Sequence, residues 1–354
     1  MVLKKLFGII AGVILSVTGV SAEFCVPGTE AAPQIDGIID AAEWSRALVL
    51  AGAGTPVDQR KSQCFISFDA GHIYVAVQSE LPPKGKLASG LPYINCNDSI
   101  ELWFDPPKEL RTVEQGKFGE FQLIASFKNE LQMLHHNPGY GLPSRTWKID
   151  DFQMKNHLDG KHWNIELAIP AKAFGLEKIT DSDWKLMAVR NFGTHLRVQA
   201  PFSPCNAFSD TQSFATFHLR ANASAIRNLY QDRLPLKIES DADELEISGS
   251  VNGKPFTGRT PFVIPADARE PGEIKFTVKD RSGQVLMSRE VSYAAPQERL
   301  WFMPEAYISL EQDYESGDAG QFTAANPGTQ IVKAANAAWK FVQGRTDDSK
   351  ALYL

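Results

Sequence analysis

Three glutamates, Glu101, Glu120 and Glu166, are among the acidic residues that could do acid–base work, and each falls on a strand-like stretch with no cleft implied by the sequence. Hydrolysis of a glycosidic bond needs two carboxyl groups flanking that bond, so these three read as solvated strand positions, and Asp98 and Asp105 as turn formers. No Gly-x-Ser-x-Gly elbow, His-Glu-x-x-His pair or phosphate-binding glycine loop occurs. Intrinsic enzymatic activity is therefore not the expectation. His135 and His136 follow Met133 in LQMLHHNPGY; a thioether and an imidazole are sensible iron ligands, and two loop histidines are the plainer reading. Asp69, Asp98, Asp105 and Asp210 are loop oxygens that could serve a structural calcium ion, although no run of ligands specifies a site. The four cysteines, Cys25, Cys64, Cys96 and Cys205, are not spaced as Cys-x-x-Cys and allow three disulfide pairings.

Strands must hold these side chains. CFISFDAGHIYVAVQSE carries Phe65, Ile66 and Phe68, a turn at Asp69-Ala70-Gly71, then Ile73, Val75 and Val77 in alternation, which is a hairpin with one buried face. DSIELWFDP alternates through Ile100, Leu102 and Phe104 until Pro106 and Pro107 stop it, so Trp103 faces the other way, exposed or half-buried. GEFQLIASFKNE, HWNIELAIPAKAFGL, DWKLMAVRNFG and SFATFHLR continue the series. Several short strands with little helix between them predict an antiparallel β-sandwich. In PQIDGIIDAAEW, Asp36-Gly37 suits a tight turn, Asp40 a cap for the next turn of chain, and Trp44 a filler for the end of the sandwich.

Beyond residue 220 the composition changes. Residues 221–236 read as a connector with one marginal helical turn. Five strand-like runs then predict a small immunoglobulin-like module over 237–297, with a hairpin turn at Asp280-Arg281-Ser282-Gly283 and no cysteine or histidine. Residues 298–354 read as an extended stretch and then a helix, from the recurrence of Ile331, Ala335, Ala338, Trp339 and Val342.

At the other end, Lys4 and Lys5, the apolar run from Leu6 to Val17 and small residues at Val20-Ser21-Ala22 mark residues 1–22 as a secretory signal peptide. The run is short of the roughly 20 residues that cross a bilayer, so no stable membrane insertion is expected after its removal. A secreted or periplasmic product would meet conditions that permit disulfides. The 354 residues carry a formal charge of −6, more negative still without Lys4 and Lys5, and no basic run. That pattern argues against nucleic acid as a partner and favours neutral ligands.

IDGIIDAAEW, FISFDAGHIYVAVQSE, NDSIELWFDP, GEFQL, WNIELAIP, RNF and FSPCNAFSDTQSFATFHL occur in the order found in family 9 carbohydrate-binding modules. Over about residues 32–219 the chain resembles that family of β-sandwich sugar-binding domains, which implies a binding domain over 23–220. The resemblance further implies non-catalytic binding of a polysaccharide or oligosaccharide, in association with glycoside hydrolysis. In the family a sugar lies in a cleft between aromatic rings. Pyranose C–H faces bury apolar area against a ring at about 25 cal/mol per Å², and the hydroxyl rim needs partners because an unpaired buried polar group costs about 1–3 kcal/mol.

Carried over by position, the first platform tryptophan falls on Asn95, with Tyr93 two residues earlier, and the second falls on Phe208 of Phe208-Ser209-Asp210. The polar position of the EFQL strand is Gln122, and the late asparagine is Asn191, after Arg190. The implied ligand set is thus Tyr93, Asn95, Gln122, Arg190, Asn191 and Phe208, with two tryptophan platforms replaced and the sugar specificity not transferable. Trp147 could add an aromatic wall. If the Asn95 and Phe208 loops share one end of the sandwich, as the resemblance implies, a Cys96–Cys205 disulfide would join them and Cys25–Cys64 would remain. Related sandwich domains of exported redox proteins make haem the rival function, through Met133 and a neighbouring histidine. A structural envelope or adhesion protein is the third class.

Overall fold

A computed structural model of the chain describes residues 22–52, 60–82, 86–90, 93–112, 119–136, 143–193, 198–205, 210–231, 234–242, 244–267, 270–293, 323–326 and 331–333. The body of the expected signal peptide, Phe208, and the helix expected over Ala335, Ala338, Trp339 and Val342 lie outside the described residues. Contacts divide the chain into two units, Met1–Thr55 with Gln59–Ala295, and Pro56–Asp58 with Pro296–Leu354.

The first unit is all-β. Its described strands are β1 (Glu23–Pro27), β2 (Leu48–Ala51), β3 (Ser62–Phe68), β4 (His72–Glu80), β5 (Ser99–Asp105), β6 (Glu120–Ser126), β7 (Leu131–His136), β8 (Arg145–Thr146), β9 (Gln153–Leu158), β10 (His162–Pro170), β11 (Ser182–Phe192), β12 (Val198–Pro201), β13 (Ala215–Arg220), β14 (Ile226–Gln231), β15 (Leu234–Ser240), β16 (Glu246–Val251), β17 (Lys254–Arg259), β18 (Phe262–Val263), β19 (Gly272–Lys279) and β20 (Val285–Tyr293). They form two sheets. The first runs β17-β16-β19-β20-β1-β13-β11-β5-β6-β7-β8, with β12 also on β11, and the second runs β18-β15-β14-β2-β3-β4-β10-β9.

The period of two along each strand decides which side chains meet between the sheets. Ile100, Leu102 and Phe104 of β5 point inward with Leu123 of β6 and Leu186 and Ala188 of β11. One end of this core is aromatic: Trp147 lies 4.9 Å from Phe121 and 5.3 Å from Phe174 between ring centroids, and its indole N–H donates to the Ala173 carbonyl at 2.7 Å. Trp147 is therefore a core residue and not the exposed wall expected of a loop tryptophan.

Pairing is mostly antiparallel, but β1 runs parallel to β13 and β2 runs parallel to β14. Because β1 also pairs with β20 and β14 with β15, both sheets continue from the early strands into the late ones. Residues 226–231, expected as part of a connector with a helical turn, are the strand β14. Their backbone is engaged on both sides, by β15 close in sequence and by β2 far from it, and the distant pairing leaves no local signal. Arg289 of β20 reinforces the seam, donating to the Ala51 carbonyl at 2.7 Å and to the Asn228 side chain.

Trp44 is buried, yet not at the end of the sandwich. It covers the outer face of the second sheet, packing with Tyr74, Ala76 and Ala168. In the second unit, Thr323–Asn326 (β21) and Ile331–Lys333 (β22) pair antiparallel, so Ile331, expected to open a helix, lies on a strand.

Candidate functional site

The outer face of the first sheet carries a connected polar array. Register places Trp103 of β5 opposite Gln122 of β6 and Met187 of β11, and Ser99 opposite Asn191, which in turn faces Gln199 of β12. Since alternate residues share a face, Glu101, Trp103, Gln122, Asn191 and Gln199 stand together on the side away from the core. The apolar part of the face is Trp103 with Met187, Val189 and Phe214, and Cys205 packs against it.

Glu101 is the hub, with only 1% of its surface exposed. Its Oε1 accepts from the Trp103 indole N–H at 2.8 Å and the Gln122 amide at 2.7 Å, and its Oε2 accepts from the Asn191 amide at 3.4 Å. A carboxylate only accepts, and this fixes every direction further out. Gln122 must donate through Nε2, leaving its Oε1 to face His136 Nε2 at 2.7 Å. His136 Nε2 therefore carries the hydrogen, and Nδ1 accepts from the Ser144 hydroxyl at 2.8 Å. Burial holds His136 below the ordinary imidazole value, consistent with this neutral tautomer. Its ring stacks on Trp103 with centroids 4.6 Å apart and planes 15° from parallel. On the other flank, Gln199 donates to Asn191 Oδ1 at 2.7 Å. The result is a row of amides, a carboxylate and an imidazole beside an aromatic floor. It can exchange hydrogen bonds with a polyhydroxylated ligand.

The sequence-derived set divides. Gln122 and Asn191 meet at Glu101. Arg190, one residue before Asn191, points to the opposite face and has no exposed surface. Its Nε donates to Ser79 at 3.0 Å, it pairs with Asp98, and its guanidinium lies 4.6 Å from the Trp163 ring centroid. Desolvation raises the Asp98 pKa, but the charges of Arg190 and Arg60 outweigh that and leave it below the ordinary carboxylate value. Asp98 also accepts from the Ala88 N–H at 2.8 Å. Arg190 thus braces the loop leading into β5 from beneath. Tyr93, 64% exposed, and Asn95 lie on that loop at the 3-10 turn Ile94–Cys96. Glu101, Trp103, His136 and Gln199 were not in the expected set. The alternation of DSIELWFDP already turns Glu101 and Trp103 outward; no comparable signal marked His136 or Gln199.

All four cysteines are free thiols, so the expected Cys96–Cys205 and Cys25–Cys64 bridges are not formed. Cys25 and Cys64 lie in different sheets, and Cys205 Sγ sits 3.3 Å from Met187 Sδ. Burial, with the nearby charges of Glu101 and Asp210, pushes the Cys205 thiol up to about 12. Trp103, expected to be exposed or half-buried, is buried beneath His136 and Phe214. Of the histidines considered as iron ligands, His135 faces inward and stacks on Phe121 at 4.4 Å, while His136 belongs to the Glu101 network. Three of the aspartates considered for calcium are engaged: Asp69 with Gly71 N–H and Tyr74 OH, Asp98 with arginine, and Asp105 with Arg111 at 2.9 Å. Among the described residues no group of three or more His, Cys, Asp or Glu side chains is arranged to hold a metal. Among them, too, no helix is long and apolar enough to cross a membrane.

No protein-family model and no curated protein matches the sequence. Solved structures do match. They include family 9 carbohydrate-binding modules. One from Caldicellulosiruptor kristjanssonii in complex with cellotriose covers 59% of this chain and 98% of its own, at 16% identity and a TM-score of 0.42. Another from the same organism, in complex with glucose, covers 57% of this chain and 97% of its own, at 17% identity and a TM-score of 0.43. At those values neither sugar is assigned to this chain.

Proposed function

We propose that this protein binds carbohydrate without cleaving it, and that the outer face of the first sheet around Glu101 is the binding site. One observation carries this reading: Glu101, Gln122, Asn191, Gln199 and His136 form a single hydrogen-bonded array beside Trp103. Hydroxyl groups both donate and accept, so a sugar can take over bonds now made between these side chains with no buried group left unpaired. Tyr93 and Asn95 on the neighbouring loop, together with Phe208, complete the proposed ligand set; Arg190 acts through the loop it braces. We further assign residues 1–22 to a signal peptide, residues up to about 220 to the binding part of the sandwich and residues 237–297 to an immunoglobulin-like part built onto the same two sheets. Export and capture of polysaccharide during its breakdown fit that organisation.

Calorimetric titration of the full chain with gluco-, xylo- and manno-oligosaccharides tests the site. Gln122→Ala and Asn191→Ala are each expected to weaken the best ligand by about tenfold, the effect of losing roughly 1.4 kcal/mol. Unchanged affinity in both variants, with folding confirmed by circular dichroism, would remove Glu101's surroundings from consideration.

A further inference from the structure

The Glu101 carboxylate differs from the two carboxylates nearest it in sequence, Asp98 and Asp105, in what surrounds it. Asp98 faces two guanidinium groups, from Arg190 and, at 3.4 Å, Arg60, and Asp105 faces Arg111 at 2.9 Å. Among the described residues Glu101 receives only neutral donors, an indole and two amides; Glu166 on the other face is likewise held by neutral donors, but both of its oxygens are tied to one backbone segment and its indole. Every positive group on the adjoining strands β6, β7 and β11 is engaged elsewhere. Lys185, on the same face of β11, donates to the Phe214 carbonyl at 3.1 Å and the Thr216 hydroxyl at 3.0 Å. Arg190 is on the reverse of β11, and neutral His136 donates to Gln122. A second carboxylate, Glu120, stands two residues before Gln122 on β6 and accepts from the Thr211 hydroxyl at 3.3 Å.

The two oxygens of Glu101 are also unequal. Oε1 takes two short bonds, while Oε2 has the single 3.4 Å contact with Asn191. A carboxylate offers about four acceptor positions, so Oε2 has capacity left. Burying an anion without a counter-charge is costly, and an aromatic ring beside it favours a cation further. Among the described residues, the half-buried side chains of this network and its edge are Gln199, His136 and Cys205.

From this we infer that the ligand brings the missing positive charge: the site prefers a saccharide carrying a free amine, such as a 2-amino-2-deoxy sugar, whose ammonium group reaches Glu101 Oε2 while its hydroxyls take the Asn191, Gln199 and His136 positions. The inference rests on the proposed carbohydrate site and specifies its ligand. It is tested with the full chain by calorimetry on three trisaccharides matched in linkage: fully deacetylated glucosamine, N-acetylglucosamine and glucose. Acetylation removes the charge while keeping the ring, so the wild-type comparison does not depend on any variant folding.

Glucosamine trisaccharide is expected to bind at least about tenfold tighter than the other two. Raising ionic strength should narrow that gap. Glu101→Gln, which keeps the side-chain shape, should bring the amine ligand to the level of the glucose one. Binding of the neutral trisaccharides with no preference for the amine would overturn the inference and leave the carbohydrate reading standing. A preference that survives Glu101→Gln would overturn it equally. Failure of all three to bind would overturn the inference, and would overturn the carbohydrate reading too if the xylo- and manno-oligosaccharides also fail to bind.

Discussion

The two outer faces of the sandwich each bury a glutamate that accepts a tryptophan indole N–H at 2.8 Å, Glu101 from Trp103 and Glu166 from Trp44. The chemistry of the pair is the same, and the difference lies in where the remaining donors come from. Glu166 Oε2 takes the backbone N–H groups of Gly37 at 2.7 Å and Asp36 at 3.1 Å, so all three of its bonds reach one chain segment more than a hundred residues away. Gly37 holds φ at 91°, which favours glycine, and a side chain there would meet His157 at 2.8 Å. Glu166 pins the N-terminal segment flat against the second sheet. Glu101 instead takes side chains from its own sheet, whose outer ends remain adjustable. A buried carboxylate with backbone donors is a fastener; the same group ringed by amide side chains can exchange partners.

The sharpest way to break this contrast is Trp44→Ala. It removes a large buried ring and one of the three Glu166 donors, and should lower the stability of the first unit by about 3–5 kcal/mol in urea unfolding. Saccharide affinity measured below the onset of unfolding should not change. A parallel loss of binding would show that the two faces work as one.

Glu166→Gln is a milder version, expected to cost about 1–3 kcal/mol, because one of the three N–H groups would face an amide N–H. It also carries a pH signature. Burial raises the Glu166 pKa above its ordinary 4.5, opposed only in part by the three N–H donors. A carboxyl whose folded pKa is raised contributes stability that is fully present below the ordinary value and lost as pH climbs through the raised one. The stability advantage of wild type over Glu166→Gln should therefore shrink as pH rises from 4.5. Asp98 runs the other way: its pKa is lowered, so its contribution is present above the ordinary 3.8 and disappears as pH falls further. Unfolding curves across that range separate the fastener from the ion pair.

Much of this contrast was open to sequence reasoning, and the exceptions have a common cause. The alternation of Trp184, Leu186 and Ala188 along β11 sends Arg190 inward and Asn191 outward, so the sequence itself separates the two neighbours that the resemblance placed together. The same parity sets Glu101 and Trp103 on the outer face. What it could not reveal is what lies over a face. Glu166 reads as a solvated strand residue because its cover, the Asp36–Trp44 segment, arrives from elsewhere in the chain. Strand β14 was missed for the same reason, since its partner β2 is distant in sequence, as was the burial of Trp103 under His136 and Phe214. Periodicity assigns a side; only tertiary pairing says whether that side stays wet.

Tyr93→Ala should have the smallest effect on the fold and is the most direct probe of the Glu101 side of the comparison. At 64% exposure the ring gives up little buried area on truncation, so stability should shift by no more than about 1 kcal/mol. The loop beneath is also held by contacts that do not use that ring, Asp98 to Ala88 and Arg190 and the Cys96 N–H to the Tyr93 carbonyl at 2.8 Å. The backbone should therefore keep its course, and any loss of saccharide affinity reports the ring itself. A ring covering a pyranose C–H face buries apolar area at about 25 cal/mol per Å², so a weakening of several-fold is expected. Unchanged affinity would confine recognition to the sheet, with Trp103 and its stacked imidazole as the aromatic surface.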